Sequence, residues 1–156
     1  MKTKTYSLEE AIRKLEHFCS YQERCHQEVE RKLKEMKMIP EAQEVIILHL
    51  LQHDFLNETR FAMAFVSGKF SIKKWGKQRL IRELKSRDIS EYNVRLALNS
   101  IDQQHYLETF DRLSKKRLDQ LQEPNRYKKR KKLADYLLYR GWESSLVYDK
   151  VMELIP

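Results

Sequence analysis

Two stretches of this sequence concentrate basic side chains, the chemistry that binds polyanions. Residues 69–87 hold eight Lys or Arg against one Glu, and residues 115–132 hold nine against two acids. The formal net charge is +8, so the rest of the chain is net acidic. Positive charge held in two blocks indicates a surface for nucleic acid or for an acidic protein face. The alternative is a solvated surface that only keeps the protein soluble.

Two further residues, Trp75 and Arg60, are candidates to contact a partner together with these blocks. Trp75 lies among cations, where it can stack on a base or fill a partner's pocket, or instead lock the linker onto the core. Arg60 can contact a partner, or pair with Glu58 or a neighbouring helix. Six cations in positions 126–132 oppose the helix macrodipole unless an anion such as phosphate is bound. The candidate partner- or DNA-binding residues are Arg60, Lys73, Lys74, Trp75, Lys77, Arg79, Arg82, Lys85, Arg126, Lys128, Lys129, Arg130, Lys131 and Lys132.

No pattern in the sequence predicts catalysis. There is no Gly-rich phosphate loop, no nucleophile elbow and no acidic cluster of the kind that two-metal nucleases use. His49 and His53 have a spacing that can hold zinc, with Asp54 beside them, but no third ligand follows, and a surface pair is the interpretation. We therefore expect no enzymatic activity, no cofactor and no metal.

The chain also predicts a cytoplasmic protein that does not cross a membrane. Its longest apolar run, residues 45–51, is interrupted by His49 and is far shorter than the roughly 20 residues that a spanning helix needs. Residues 1–6 show no apolar segment of a secretory signal. Cys19 and Cys25 match no common zinc spacing, so we expect reduced, free thiols.

These residues must be positioned by helices. Three Gly, three Pro and 35% charged residues predict an all-α fold. Ser7 with Glu10 forms a capping box, a second helix runs from about Gln22 to Met36, and Pro40 begins a third. Asn57 caps a fourth helix, which we expect to end at a short linker over residues 67–69. The side chains predicted to face inward are Ala11, Ile12, Leu15, Phe18 or Cys19, Val29, Leu33, Ala42, Ile46, Ile47, Leu50, Leu51, Phe61, Ala64, Phe65, Leu80, Ile81 and Leu84. That arrangement leaves Arg79, Arg82 and Lys85 outward or flanking.

An internal repeat organises these helices. Its apolar positions are Val29, Leu33, Met38, Ile47 and Leu50; then, 51 residues on, Leu80, Leu84, Ile89, Leu98 and Ile101; then, 53 further on, Leu133, Leu137, Trp142, Val151 and Leu154. All fifteen are apolar in a chain that is 41% hydrophobic, so chance is a poor explanation. We predict an N-terminal helix (1–20), three-helix units at 21–70 and 71–122, and a two-helix unit at 123–156. Units this small share apolar contacts with their neighbours, which predicts an elongated row.

The motifs between these units resemble the RecX family, bacterial regulators of the RecA recombinase. The resemblance covers about residues 20–155. It rests on a Phe-Leu-amide motif before Arg60-Phe61-Ala62, a basic linker, and Gly76 with Arg79 and Glu83-Leu84. The matching positions are Phe55, Leu56, Arg60, Phe61, Ala62, Gly76, Arg79, Glu83, Leu84 and Gly141.

The resemblance implies tandem three-helix repeats and a non-enzymatic protein. Such a protein lies along the groove of the RecA–DNA filament and restrains its recombinase and ATPase activities in recombination and DNA repair. The partners implied are the RecA filament and single- or double-stranded DNA at the basic blocks, and we expect a monomer. The alternative is an autonomous nucleic-acid-binding helical protein. A Gly often closes the first helix of each repeat in this family; Gly141 fits, but Lys37 and Asp88 take that place in the other copies.

Overall fold

The computed structural model describes residues 4–156, and this part of the chain is helical without a strand. The all-α prediction is confirmed. The helices are α1 (Leu8–Tyr21), α2 (His26–Glu35), α3 (Pro40–Gln52), α4 (Glu58–Gly68), α5 (Lys77–Ser86), α6 (Glu91–Asn99), α7 (Gln103–Gln120), α8 (Arg126–Tyr139) and α9 (Ser144–Leu154). None of these helices is long and apolar enough to cross a membrane.

Three of the predicted helix starts are confirmed. Ser7 Oγ accepts a hydrogen bond from the Glu10 amide at 3.1 Å, and the Glu10 carboxylate accepts one from the Ser7 amide at 3.0 Å. Pro40 is the first residue of α3, and the side chain of Asn57 caps α4. Short-range signals of this kind act through backbone groups that no other part of the fold satisfies.

The second helix begins later than predicted. It starts at His26 and not near Gln22, because α1 continues to Tyr21 and Gln22 is extended. Cys25 is the N-cap, and the Glu28 carboxylate accepts hydrogen bonds from its amide and its thiol.

The predicted linker at 67–69 is helical. α4 runs to Gly68 and continues as a π-helical turn over Lys69–Lys73, which ends at Lys74 with a φ of 58°. The turn carries Phe70, which is 4% exposed and stacks against Tyr106. Burial of this aromatic ring explains why the chain stays helical across a polar, glycine-containing stretch.

Three hydrophobic clusters divide the helices into groups. The first group is α1–α3, the second is α4–α6 and the third is α7–α9. Neighbouring groups are linked by one buried side chain each. Cys25, the N-cap of α2 in the first group, packs in the cluster of the second group, and Phe70, which follows α4, packs in that of the third. The predicted units begin one helix later than these groups. A repeat fixes the period of a helical row but not which three successive helices pack together.

Two of the residues predicted to face inward do not. Leu51 is 48% exposed, and Ala64 also lies on the surface. In α4 the buried residues are Phe61, Ala62 and Val66, so its inner face is turned from the one predicted. On this face α4 packs most extensively against α6.

The first helix of each repeat copy ends in the same corner. Lys37, Asp88 and Gly141 all have positive φ, at 59°, 58° and 92°. The next residue in each case donates its amide back to a leucine carbonyl: Met38 to Leu33, Ile89 to Leu84 and Trp142 to Leu137. This is the Schellman arrangement, in which those two apolar residues also touch. It gives the physical reason for two of the five repeated apolar positions, and it settles how the corners at Lys37 and Asp88 close without glycine.

The row of groups is extended. The solvent-accessible surface is 10134 Å², whereas a compact monomer of 19.0 kDa exposes roughly 8,400 Å². The excess agrees with a row of small units that share few contacts.

Candidate partner and nucleic-acid interface

The second and third groups meet where two glycine backbones touch. The Gly76 amide donates to the Arg140 carbonyl at 2.8 Å, and the Gln78 amide donates to the Gly141 carbonyl at 2.9 Å. The start of α5 is thus satisfied by the end of α8, more than 60 residues away. A methyl group on either glycine would lie within 2.6 Å of the opposing backbone. Only glycine therefore allows this approach.

A buried tyrosine completes the same contact. Tyr106 is fully buried, accepts a hydrogen bond from the Lys77 amide at 2.8 Å, and donates to the Glu143 carboxylate. Burial raises the pKa of the Tyr106 hydroxyl, and the hydrogen bond to Glu143 acts in the same direction. The ring lies 4.6 Å from that of Trp142, whose indole N–H donates to the Lys74 carbonyl. These contacts fix the third group against the start of α5.

Arg79 lies at the surface of this contact, held by aromatic rings. Its guanidinium carbon is 4.2 Å from the ring centre of Trp75 and 4.9 Å from that of Tyr139. Its Nη1 donates to the Tyr139 carbonyl at 3.3 Å. Its Nε is 3.9 Å from Glu83, beyond hydrogen-bond distance, while Glu83 pairs more closely with Arg87 at 3.0 Å. The positive charge of Arg79 is therefore only weakly neutralised within the fold.

Other cations gather around Arg79. Arg140 donates to the Lys73 carbonyl at 2.6 Å, and Lys74 and Lys73 are exposed. The Lys77 ammonium lies 4.6 Å from the ring centre of Tyr106 and bonds to Gln103. We call this cluster the basic joint; it consists of Lys73, Lys74, Trp75, Lys77, Arg79, Tyr139 and Arg140. Arg82 and Lys85 continue from it along α5, both exposed and without an ion pair in the described part of the chain.

Trp75 is half-buried against the cluster of the second group. Its ring lies 6.2 Å from that of Phe65, and Lys69 approaches its face at 5.2 Å. The packing interpretation of this residue is thus supported by the structure. The same packing fixes the position of the Trp75 ring, against which the Arg79 guanidinium stacks.

The six cations at positions 126–132 lie in the first turns of α8. Asn125 caps this helix by accepting from the Lys128 amide at 3.1 Å. The two arginines bind the end of the chain, Arg126 at the Pro156 carbonyl and Arg130 at the Ile155 carbonyl. Lys131 pairs with Asp135 and Lys132 with Glu123. Lys128 and Lys129 have no acidic partner and no side-chain hydrogen bond among residues 4–156, so they are the cations of residues 126–132 that the fold leaves unused.

Arg60 is held by two carboxylates of the fold. Its Nε binds Glu23 at 2.7 Å, and its two terminal nitrogens bind the Asp54 side chain and carbonyl at 2.9 Å. Of the alternatives for Arg60, the pairing with Glu58 does not occur, because Glu58 accepts hydrogen bonds from Ser90 and Asn93 at the start of α6. Arg60 clamps the first group of helices to the second.

A polar cleft of about 650 Å³ lies between those two groups. Its lining includes Glu28, Glu83 and Arg87. Glu83 is paired with Arg87, and Glu28 lies 3.6 Å from Arg24. Because the opposite charges offset each other there, the cleft offers a polyanion no net attraction.

The histidines and cysteines have ordinary structural partners. His49 Nε2 lies 2.9 Å from Glu16 Oε2, and the His49 ring lies 4.3 Å from that of His53. Both cysteines are buried free thiols, as predicted. Burial raises the pKa of Cys19 to about 11 and also raises that of Cys25, so neither is a reactive thiolate at neutral pH.

Two residues of the basic joint were missed in the sequence analysis. Tyr139 and Arg140 lie outside both charge blocks, and only packing brings them beside Arg79. One signal was present, since both directly precede Gly141. A glycine required for close backbone approach marks its neighbours as part of a contact.

Comparisons with known proteins agree with this architecture. The family RecX, second three-helix domain, matches residues 57–98, and RecX, third three-helix domain, matches residues 104–151. Together the two matches cover more than half of the chain, and they coincide with the second and third helix groups.

Similar sequences and structures carry the same family name. A regulatory protein RecX of Serratia proteamaculans is 31% identical over 110 residues, 70% of this chain and 64% of that protein. One of Clostridioides difficile is 25% identical over 122 residues, 76% of this chain and 57% of that protein. The chain thus spans about three fifths of the length of these relatives. A crystal structure of RecX from Lactobacillus salivarius superposes with a TM-score of 0.78 at 21% identity, covering 94% of this chain and 96% of that one. A second regulatory protein RecX gives 0.82 at 21% identity, covering 94% and 73%.

Proposed function

This chain belongs to the RecX family of regulatory proteins, and on that premise we propose that it binds the RecA–DNA filament and inhibits its recombinase and ATPase activities. The protein acts without catalysis of its own, as a partner that occupies the filament. Its extended row of helix groups suits a long groove better than a compact domain would.

The observation that carries the proposal is the basic joint. An arginine whose faces rest on aromatic rings is held in place for an anion. Arg79 rests in this way on Trp75 and Tyr139. Its Nη1 donates to the Tyr139 carbonyl and its Nε is buried, so Nη2 is the nitrogen left to bind a phosphate oxygen. Five cations lie in this cluster, where backbone contacts between the second and third groups fix their spacing.

The first turns of α8 supply a second contact with phosphate. Lys128 and Lys129 gain no ion pair within the described chain, and their positive charge lies at a helix N-terminus. Charge so placed opposes the helix macrodipole, so an anionic partner relieves a cost that the free protein bears. The basic joint and this helix start lie at opposite ends of α8, about 20 Å apart for a 14-residue helix.

The alternative function is an autonomous nucleic-acid-binding protein, in which the same cations bind DNA without RecA. The two functions separate in a binding assay. Affinities for RecA–single-stranded DNA filaments and for the same bare oligonucleotide are measured at several salt concentrations. We expect tighter binding to the filament, with inhibition of RecA ATPase at the concentrations that bind. Equal affinity for both, with no inhibition, would favour the alternative.

The charge-led mechanism has a matched test. Replacing Lys128, Lys129 and Lys131 by Gln should leave the melting temperature unchanged or slightly raised, because mutual repulsion falls. The slope of log affinity against log salt should flatten by about 2 for single-stranded DNA if all three contact phosphate. The control replaces Lys4, Lys14 and Lys34, exposed lysines of the first group, and changes the net charge equally.

Neutralising the basic joint extends this test. The double variant Arg79→Gln, Arg82→Gln should also bind the filament more weakly than wild type does. A variant neutralised in both basic regions that still inhibited at wild-type concentrations would refute the role of these cations.

A further inference from the structure

The outward face of α3 combines large aliphatic side chains with acidic ones. Val45, Leu48 and Leu51 follow one another at three-residue spacing and are 50%, 54% and 48% exposed. Glu41 and Glu44 lie on the same exposed side of the helix. Side chains three apart on a helix are neighbours, so the three aliphatic residues form one continuous stripe. We call these three residues the α3 stripe.

The stripe does not contribute to the core of the protein. α3 packs on α1 and α2 through Ile46 and Leu50, which are fully buried on its opposite face. A continuous exposed apolar surface on a soluble protein marks an interaction site, whereas single exposed aliphatic residues need no explanation. The stripe is therefore an unpartnered helix face.

Charge indicates what can cover this face. Residues 38–59 contain four acidic side chains and no Lys or Arg, in a chain where 31 of 156 residues are basic. Such a surface repels a phosphate backbone, and nucleic acid offers little to bury three aliphatic side chains. An apolar patch rimmed by Lys and Arg on a protein is complementary both to the stripe and to its acidic rim.

A symmetric dimer of this chain is a poorer fit. A symmetric dimer through the stripe would place Glu41 and Glu44 of each copy near those of the other, and like charges across an interface are unfavourable. A head-to-tail contact would instead pair those acids with a basic region, where Ile72, Tyr127 and Tyr139 are exposed, and sedimentation of the wild type tests for that contact.

We propose that the α3 stripe docks on an apolar, Lys- and Arg-rimmed surface of the recombinase protomers in the filament. This inference rests on the proposed function and deepens it by assigning separate partners to separate faces. The basic joint and the start of α8 meet DNA phosphate, while the α3 stripe meets protein.

The test replaces one residue of the stripe with a cation. Leu48→Lys introduces a positive charge into a face that has none and removes an exposed aliphatic side chain. Met152→Lys on α9 is the matched control, because Met152 is 55% exposed and Leu48 is 54% exposed. Melting curves check that both variants fold as the wild type does. Binding is then measured to RecA–DNA filaments and to the bare oligonucleotide, and sedimentation reports self-association.

We expect Leu48→Lys to weaken filament binding at least tenfold while oligonucleotide affinity stays within about twofold of wild type. Met152→Lys should change neither. Equal filament binding by Leu48→Lys and wild type would overturn the inference but leave the proposed function standing. The inference would also be overturned if the wild type self-associated and Leu48→Lys did not, because a second copy of the chain would then be what covers the stripe. Wild-type protein that failed to bind filaments at all would refute the proposed function and this inference with it.

Discussion

The three glycines of this chain offer a direct test of the contact between the second and third helix groups. Each is replaced by alanine in turn. Gly68 lies in α4 with nothing within 4 Å of an added methyl group. Gly76 has an ordinary φ of −80°, but its methyl group would lie 2.5 Å from the Gly141 carbonyl oxygen. At Gly141 a methyl group would lie 2.4 Å from the Arg79 amide nitrogen, and φ is 92°.

The expected free energies of unfolding follow from these three environments. Gly68→Ala should stabilise by about 0.5–1 kcal/mol, because alanine is the better helix former and meets open space. Gly76→Ala forces two backbones apart and should cost about 1–3 kcal/mol, as overpacking does. Gly141→Ala adds to a similar clash the strain of a left-handed backbone, about 1–2 kcal/mol, for a total of roughly 2–5 kcal/mol.

Urea unfolding followed by far-ultraviolet circular dichroism measures all three variants. The order of stability should be Gly68→Ala above wild type, then Gly76→Ala, then Gly141→Ala. Filament binding is measured below the unfolding transition, and we expect the two joint variants to lose affinity because Arg79 is no longer held. If Gly76→Ala and Gly141→Ala were as stable as wild type, the backbone contact between α5 and α8 would be refuted.

Three further predictions concern stability. Lys37→Gly should stabilise by about 0.5–1 kcal/mol in urea unfolding, because it relieves a left-handed lysine at the first corner; no gain would contradict that geometry. Leu84→Ala should destabilise by about 2–5 kcal/mol as a fully buried truncation, and half-buried Leu98→Ala by clearly less; the reverse order would exclude the packing of α5 and α6 described above. The hydrogen bond from Lys150, the largest cause, lowers the pKa of Asp111 below its ordinary value of 3.8, so its contribution to stability is present above about pH 4 and is lost as the pH falls through the lowered pKa. Asp111→Asn should therefore flatten the acid limb of the melting temperature against pH, and an unchanged limb would show that this pair contributes nothing.

The joints on either side of the second group differ in their chemistry. Side chains hold the first joint, chiefly Arg60 with Glu23 and Asp54, across a polar cleft. The second joint is held by backbone hydrogen bonds from Gly76 to Arg140 and from Gln78 to Gly141, and by the buried Tyr106. Backbone contacts leave less freedom than long charged side chains, so the geometry of the basic joint is fixed more firmly than that of the first joint.

Much of the fold could be predicted from the sequence because its signals are local. The cap at Ser7, the proline at Pro40 and the amide cap at Asn57 act within one turn of a helix, where sequence neighbours decide the outcome. The repeat was visible for a related reason. Each corner needs an apolar residue on either side of a left-handed position, as at Leu33 and Met38, so the pattern recurs wherever the corner does.

The candidate site could be predicted only in part. The two basic blocks predict Arg79 and Lys128 as site residues, because charge follows directly from residue type. Composition does not show which charges the fold uses itself. Arg60 is paired with Glu23, and Arg130 donates to the Ile155 carbonyl, so both side chains hold the fold together. Lys128 has no acidic partner in the described part of the chain.

By itself the sequence determined the helical class, the period of the repeat, three of the helix starts and the two concentrations of positive charge. These depend on backbone hydrogen bonding, on apolar spacing along one helix and on residue type, all of which lie within a few neighbouring residues. The tertiary structure alone decided which three helices share a core, that Leu51 is exposed, and that Tyr139 lies beside Arg79. The first two outcomes depend on how helices tens of positions apart pack on one another. Tyr139 reaches Arg79, 60 positions away, because Gly76 and Gly141 let the second and third groups meet.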